Sequence, residues 1–156
     1  MKVIYNAPAD PEPHYAQIVK ADKLKPIKVI PKDEKRPDSI WKKEDARIER
    51  DGKAVHVYAM VEHGRFYPDE IKVKQGERVI IHMTNADLKE DIAHGLGISL
   101  YNINIEVLPG ETKTVEFDAA QAGVFPFYCT IFCDPHHQEM QGYLLVQPIA
   151  ISSSKN

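Results

Sequence analysis

Cysteine is scarce in this chain. Its 156 residues hold two, Cys129 and Cys133. A disulfide-stapled scaffold carries more, spread further apart, so the fold must rest on a hydrophobic core. Long apolar runs are missing as well. Stretches such as Gly142–Val146 and Val79–Ile81 fall far short of the roughly 20 residues that a membrane-crossing helix needs. No excess of positive charge exists: 20 Lys and Arg stand against 23 Asp and Glu, a net charge of −3. That balance argues against a nucleic-acid partner. The opening MKVIYNAPADPEPHY lacks the apolar core of a signal peptide. The expectation is a cytoplasmic protein, or one whose export signal is not in this chain. What is present, 43% hydrophobic and 28% charged residues, is the composition of a soluble globular domain.

Residues 1–50 hold six of the eleven prolines: Pro8, Pro11, Pro13, Pro26, Pro31 and Pro37. Proline at that density breaks helices and stays out of central strands. The segment reads as an extended arm with one short helix near Ser39–Ile48, capped by Ser39 and anchored by Trp41. From Asp51 the pattern changes. Val55, Val57, Ala59 and Val61 alternate with His56, Tyr58 and Met60. Ile71–Lys74, Val79–Met83, Gly95–Leu100, Ile103–Val107, Thr112–Phe117, Val124–Cys129 and Gly142–Gln147 read as further strands. Gln75-Gly76 and Leu108-Pro109-Gly110-Glu111 read as turns. Seven or eight short strands without a long amphipathic helix predict an all-β Greek-key sandwich or barrel. It would span residues 51–150, with a polar tail at 151–156.

The chemistry is concentrated between Phe127 and Met140. This stretch reads C-x-x-x-C-x-x-x-H-x-x-M, with Cys129, Cys133, His137 and Met140 in register. Thiolates and a thioether are soft donors and imidazole is intermediate, so the set favours copper, with zinc the weaker candidate. Two neighbouring thiolates can each bridge two metals, so one loop could hold a dinuclear site. A further ligand from elsewhere would complete it, and His94 in Asp91-Ile-Ala-His-Gly-Leu-Gly97 is the candidate. Gly95 and Gly97 would let the backbone pass close to a bulky site. A disulfide, a plain thiol pair, a structural Cys2His2 zinc site and a copper storage or delivery module are the competing readings. Met140 counts against zinc.

With Asp91-x-x-His94-Gly95 upstream, the loop resembles the CuA centre of nitrous-oxide reductase and, more distantly, of cytochrome c oxidase subunit II. The similarity runs from Arg50 to Pro148. It includes Gly52–Tyr58, Phe66–Gly76, Thr84-Asn85, and Pro109 through the ligand loop. The resemblance implies a cupredoxin-like fold with two copper ions bridged by Cys129 and Cys133. His94 and His137 would take one copper each. Met140 and the backbone carbonyl of Ile131 would be weak ligands. The oxidase motif has a glutamate where this chain has Ile131, and transmembrane helices that this chain lacks. The reductase commonly has an aromatic at that position, but a backbone donor tolerates the change. Glu12-Pro13-His14 is similar to the end of the reductase's propeller, where a histidine holds the catalytic CuZ centre. The other propeller histidines are absent.

The resemblance therefore implies an electron-transfer domain without catalysis of its own. It would accept electrons from a cytochrome c-type donor and pass them to the CuZ-bearing propeller of a periplasmic, homodimeric parent. His136 reads as a neighbour of the ligands. His56, His63 and His82 read as surface or strand histidines without a metal role. Asp87, Glu90, Asp91, Asp134 and Glu139 form an acidic rim suited to a basic donor.

Overall fold

The computed structural model describes residues 3–5, 31, 45–89, 91–131 and 140–149. Among the described residues eleven strands run in order: β1 (Val3–Tyr5), β2 (Arg47–Arg50), β3 (Val55–Glu62), β4 (Arg65–Tyr67), β5 (Glu70–Lys74), β6 (Arg78–Asn85), β7 (His94–Ile98), β8 (Ile103–Val107), β9 (Thr112–Asp118), β10 (Gly123–Tyr128) and β11 (Gln141–Gln147). A 3-10 turn, Ser99–Tyr101, joins β7 to β8. Among the described residues no helix is long and apolar enough to cross a membrane.

Two sheets form. The first has the order β1-β9-β6-β3-β2, with β4 also paired to β3; the second has the order β5-β11-β10-β7-β8. Pairing is antiparallel except for β3 with β6 and β11 with β5. Period-2 alternation explains the layering. Val55, Val57, Ala59, Val61, Val79, Ile81, Met83, Val115 and Phe117 of the first sheet share one core with Ile71, Val73, Leu96, Ile98, Ile103, Ile105, Val107, Phe127, Leu144 and Val146 of the second. The all-β sandwich expected from the alternation is the fold observed.

Three strands are additional to the expected set. β1, β2 and β4 span only three or four residues each, too short to show a period. β1 and β2 come from the segment read as an arm, and they pair with β9 and β3. Arg47 and Ile48 are therefore in a strand, not at the end of a helix. Trp41, Ser39 and His14 lie outside the described residues.

The second difference concerns β3. Alternation predicted one solvent-facing side, yet Tyr58 and Met60 are buried along with the core residues. Tyr58 packs over the His82 ring with centroids 4.9 Å apart, and the Arg47 guanidinium lies 4.4 Å from the Tyr58 centroid. Polar and aromatic side chains pack this face, which hydropathy alternation reads as exposed.

The turns are where the glycines placed them. Gly76 and Gly110 have φ of 91° and 73°, the left-handed region that glycine enters without steric cost. Gly142 serves closeness instead. A Cβ there would collide with the Phe127 ring and lie 2.6 Å from the Asp69 carbonyl oxygen. Gly142→Ala is therefore expected to destabilise the domain by about 1–3 kcal/mol. A denaturant midpoint equal to the parent's would contradict this packing.

Candidate metal centre

The last residues of β3, β6, β8 and β10 lie at one end of the sandwich. Asn85, the last residue of β6, organises this end. Its side-chain amide donates to the Ile92 carbonyl at 2.8 Å and the Val107 carbonyl at 3.0 Å. Its side-chain oxygen accepts the Asp87 backbone N–H at 2.9 Å. Asn85 also exchanges backbone hydrogen bonds with Glu111 and Gly110. This buried side chain thus sets the path of the chain that delivers His94.

His94 opens β7 and is fully buried. Its Nε2–H donates to the Asp87 carboxylate at 2.6 Å, and the Asp87 side chain is 1% exposed. The same carboxylate oxygen accepts the His63 backbone N–H at 3.2 Å, which fastens the β3–β4 turn to the β6–β7 loop. With Nε2 committed, Nδ1 is the nitrogen left to bind a metal, and it has no oxygen or nitrogen partner among the described residues. A carboxylate that fixes the outer nitrogen of an imidazole is the usual support for a metal-binding histidine. Burial, the largest influence, works to lower the His94 pKa. The hydrogen bond to Asp87 and then the Cys129 sulfur outweigh it, so the pKa stands above the ordinary imidazole value. A metal binding here must displace that proton, so acid should weaken binding.

Cys129 follows β10 and is 4% exposed. β7 and β10 are antiparallel, with Gly97 opposite Tyr128, so the chain beyond β10 runs on beside Leu96 and Gly95. The Gly95 N–H points at the Cys129 sulfur, 3.4 Å away. A backbone N–H so placed stabilises a thiolate. The sulfur is 3.1 Å from the Ile131 carbonyl oxygen, and the Cys129 N–H donates to the Met140 carbonyl at 3.4 Å. Met140 is 1% exposed. The close approach expected of the two glycines is present: a Cβ on either Gly95 or Gly97 would collide with the Thr130 side chain.

The structure thus brings together His94, Cys129, the Ile131 carbonyl and the backbone of Met140. Cys133 and His137 lie outside the described residues, as do His136, Glu90, Asp134 and Glu139. Of the expected acidic rim, Asp91 is exposed but Asp87 is not rim at all. It is a buried partner of His94. Its type and loop position suggested solvent; only its spacing of two from Asn85, as in an Asx turn, hinted otherwise. The ligand-type atoms of Glu62, His63 and Asp87 lie within 4.8 Å of one another, so negative charge is gathered behind His94.

A two-sheet sandwich with a buried His and Cys at one end defines the class. The chain belongs to the cupredoxin-like domain family, whose pattern matches residues 10–146. Among curated proteins it is 31% identical to nitrous-oxide reductase of Stutzerimonas stutzeri over 157 residues, covering 95% of this chain and 25% of that one. It is 35% identical to nitrous-oxide reductase of Cupriavidus necator over 147 residues, covering 94% and 23%. Identity to cytochrome c oxidase subunit 2 of Thermus thermophilus is 33% over 91 residues, covering 58% and 64%. The chain spans about a quarter of the length of the nitrous-oxide reductases it matches. Among solved structures, a heme-copper terminal oxidase dimer determined by cryo-EM superposes with a TM-score of 0.57 at 22% identity. That match covers 87% of this chain and 86% of the other, and supports the fold.

Proposed function

We propose that this chain is an electron-transfer domain built round a dinuclear copper centre. Cys129 and Cys133 would bridge the two ions, with His94 on one and His137 on the other. Met140 and the Ile131 carbonyl would be weak ligands. The observation that carries the reading is the buried Nδ1 of His94, left without an oxygen or nitrogen partner and set beside the Cys129 sulfur. A buried ring nitrogen without an oxygen or nitrogen partner costs free energy unless something binds it, and the neighbouring soft donors suit copper.

When bound, the copper pair would supply a one-electron redox couple. The chain's residues supply rigidity. Asp87 holds the His94 ring in one tautomer and one orientation. Asn85 ties the His94 loop to β8 and to the β8–β9 turn. The Gly95 N–H compensates charge on the Cys129 sulfur. These groups keep the ligands in place in both oxidation states, so little rearrangement accompanies electron exchange. Met140 should tune this centre without building it: Met140→Leu is expected to retain both coppers and shift the reduction potential. Loss of all copper in that variant would overturn its assignment as a weak ligand.

In a nitrous-oxide reductase parent, this domain would take electrons from a cytochrome c-type donor. It would pass them to the CuZ centre on the propeller of the partner subunit, in the periplasm. Rapid mixing of the copper-loaded chain with reduced cytochrome c tests the donor step. Electron uptake should be fast at low salt and slow as salt screens the attraction. Neutralising Asp134 and Glu139 together should remove that salt dependence. The chain alone should reduce no nitrous oxide. Turnover by the loaded chain, or no uptake at any ionic strength, would contradict the proposal.

A further inference from the structure

A second arrangement of imidazoles lies on the face of the first sheet that points away from the core. Tyr58 of β3, His82 of β6 and Thr114 of β9 share one cross-strand row, and His56 is two residues before Tyr58 on the same side. The Nδ1 of His56 and the Nε2 of His82 are 3.1 Å apart. The ring centroids are 5.5 Å apart and the planes differ by 3°. That separation is the nitrogen–nitrogen gap plus the two ring radii. The rings are therefore coplanar and meet edge to edge, with the two nitrogens in line.

The outer nitrogens are both engaged. His56 Nε2 lies 3.0 Å from the Asp51 carboxylate. Asp51 stays ionised: the N–H groups of Lys53 and Ala54, then His56, hold its pKa at about 2. A carboxylate only accepts, so His56 keeps its proton on Nε2 and turns a bare Nδ1 toward His82. His82 Nδ1 lies 3.1 Å from the Thr114 hydroxyl, which serves equally as donor or acceptor. With the hydroxyl donating, His82 Nε2–H bonds to His56. With the hydroxyl accepting, the His82 proton moves to Nδ1, and two lone pairs face each other along one line.

We propose that His56 and His82 form a second metal site, which takes a monovalent d10 cation, copper(I), in linear two-coordination between His56 Nδ1 and His82 Nε2. Both imidazoles stay neutral, and no net proton is released: the His82 proton moves from Nε2 to Nδ1 while the hydroxyl turns. Two metal–imidazole bonds of about 2 Å in line ask the gap to open by less than about 1 Å, a rotation of two side chains. Zinc would need further ligands, and His82 is only 5% exposed, which leaves little room for waters. Asp51 and Thr114 give each ring the outer hydrogen bond that metal-binding histidines normally have. Tyr58 lies nearly parallel to both rings, at 10° to His82 and 11° to His56. The His56 side chain is 24% exposed and offers the way in.

Silver(I), a redox-inert stand-in for copper(I), tests this site whatever metal the Cys129 centre takes. Silver is titrated past the capacity of the thiols while nitrogen-15 spectra follow each histidine ring. His56 Nδ1 and His82 Nε2 should shift in step as one ion binds, and His82 should change tautomer. His56→Gln should bind one silver ion fewer, with the other histidines responding as in the parent. Asp51→Asn, at an exposed position, should bind at this site at least tenfold more weakly without loss of fold. Unmoved His56 and His82 signals at silver excess would overturn the site. So would an equal silver count in His56→Gln.

Discussion

Cys129→Ser should abolish the dinuclear centre. In the proposed arrangement its sulfur serves both ions, so one substitution removes a ligand from each. Copper per chain should fall from two to one or none, and the purple colour of a thiolate-bridged mixed-valence pair should disappear. Any remaining absorption should be that of a mononuclear site. Cys133→Ser should behave the same way, because the proposed bridge is symmetric in the two thiolates. The fold should survive in both. Cys129 is a small residue beside a large core, and serine is nearly isosteric. An unchanged purple spectrum in either variant would show that the bridging assignment is wrong.

Asp87→Asn should have the next largest effect, through His94. Asparagine keeps the shape but removes the charge that orients Nε2–H. Loss of such a partner typically lowers metal affinity about 10–100-fold. A second readout separates this role from mere packing. In the parent, the Asp87 hydrogen bond and the Cys129 sulfur outweigh burial and raise the His94 pKa. Copper binding should therefore weaken as pH falls through that raised value. In Asp87→Asn the opposing burial remains and the carboxylate is gone, so the fall should begin at lower pH. Copper affinity measured across a pH series checks both effects. A parent-like affinity and pH profile would mean that Asp87 only packs.

Much of this architecture was written in short-range pattern. β5, β8 and β11 alternate cleanly between buried and exposed, so period 2 marks them and nearly their ends. Gly76 and Gly110 mark turns because only glycine enters left-handed backbone cheaply. The C-x-x-x-C-x-x-x-H-x-x-M register stands out because soft donors rarely gather by chance, and of its members Cys129 and Met140 are seen buried. Other features depend on partners distant in sequence. Edge strands such as β1 and β4 form through pairing that no local period records. The face bearing Tyr58 and His82 is packed by rings and polar groups, so hydropathy misjudged its burial. Asp87 looked like a surface acid because its partner, His94, is reached only after the intervening loop closes on Asn85. His56 and His82 are 26 positions apart, and the parallel β3–β6 register brings them together.

The central claim is that one electron is shared by two copper ions on this chain. Electron paramagnetic resonance of the oxidised, copper-saturated protein tests it most directly, with copper counted on the same sample. The expected spectrum carries hyperfine splitting from two equivalent copper nuclei, at two coppers per chain in a purple solution. Splitting from a single nucleus would contradict the account, as would a silent, colourless protein that prefers zinc.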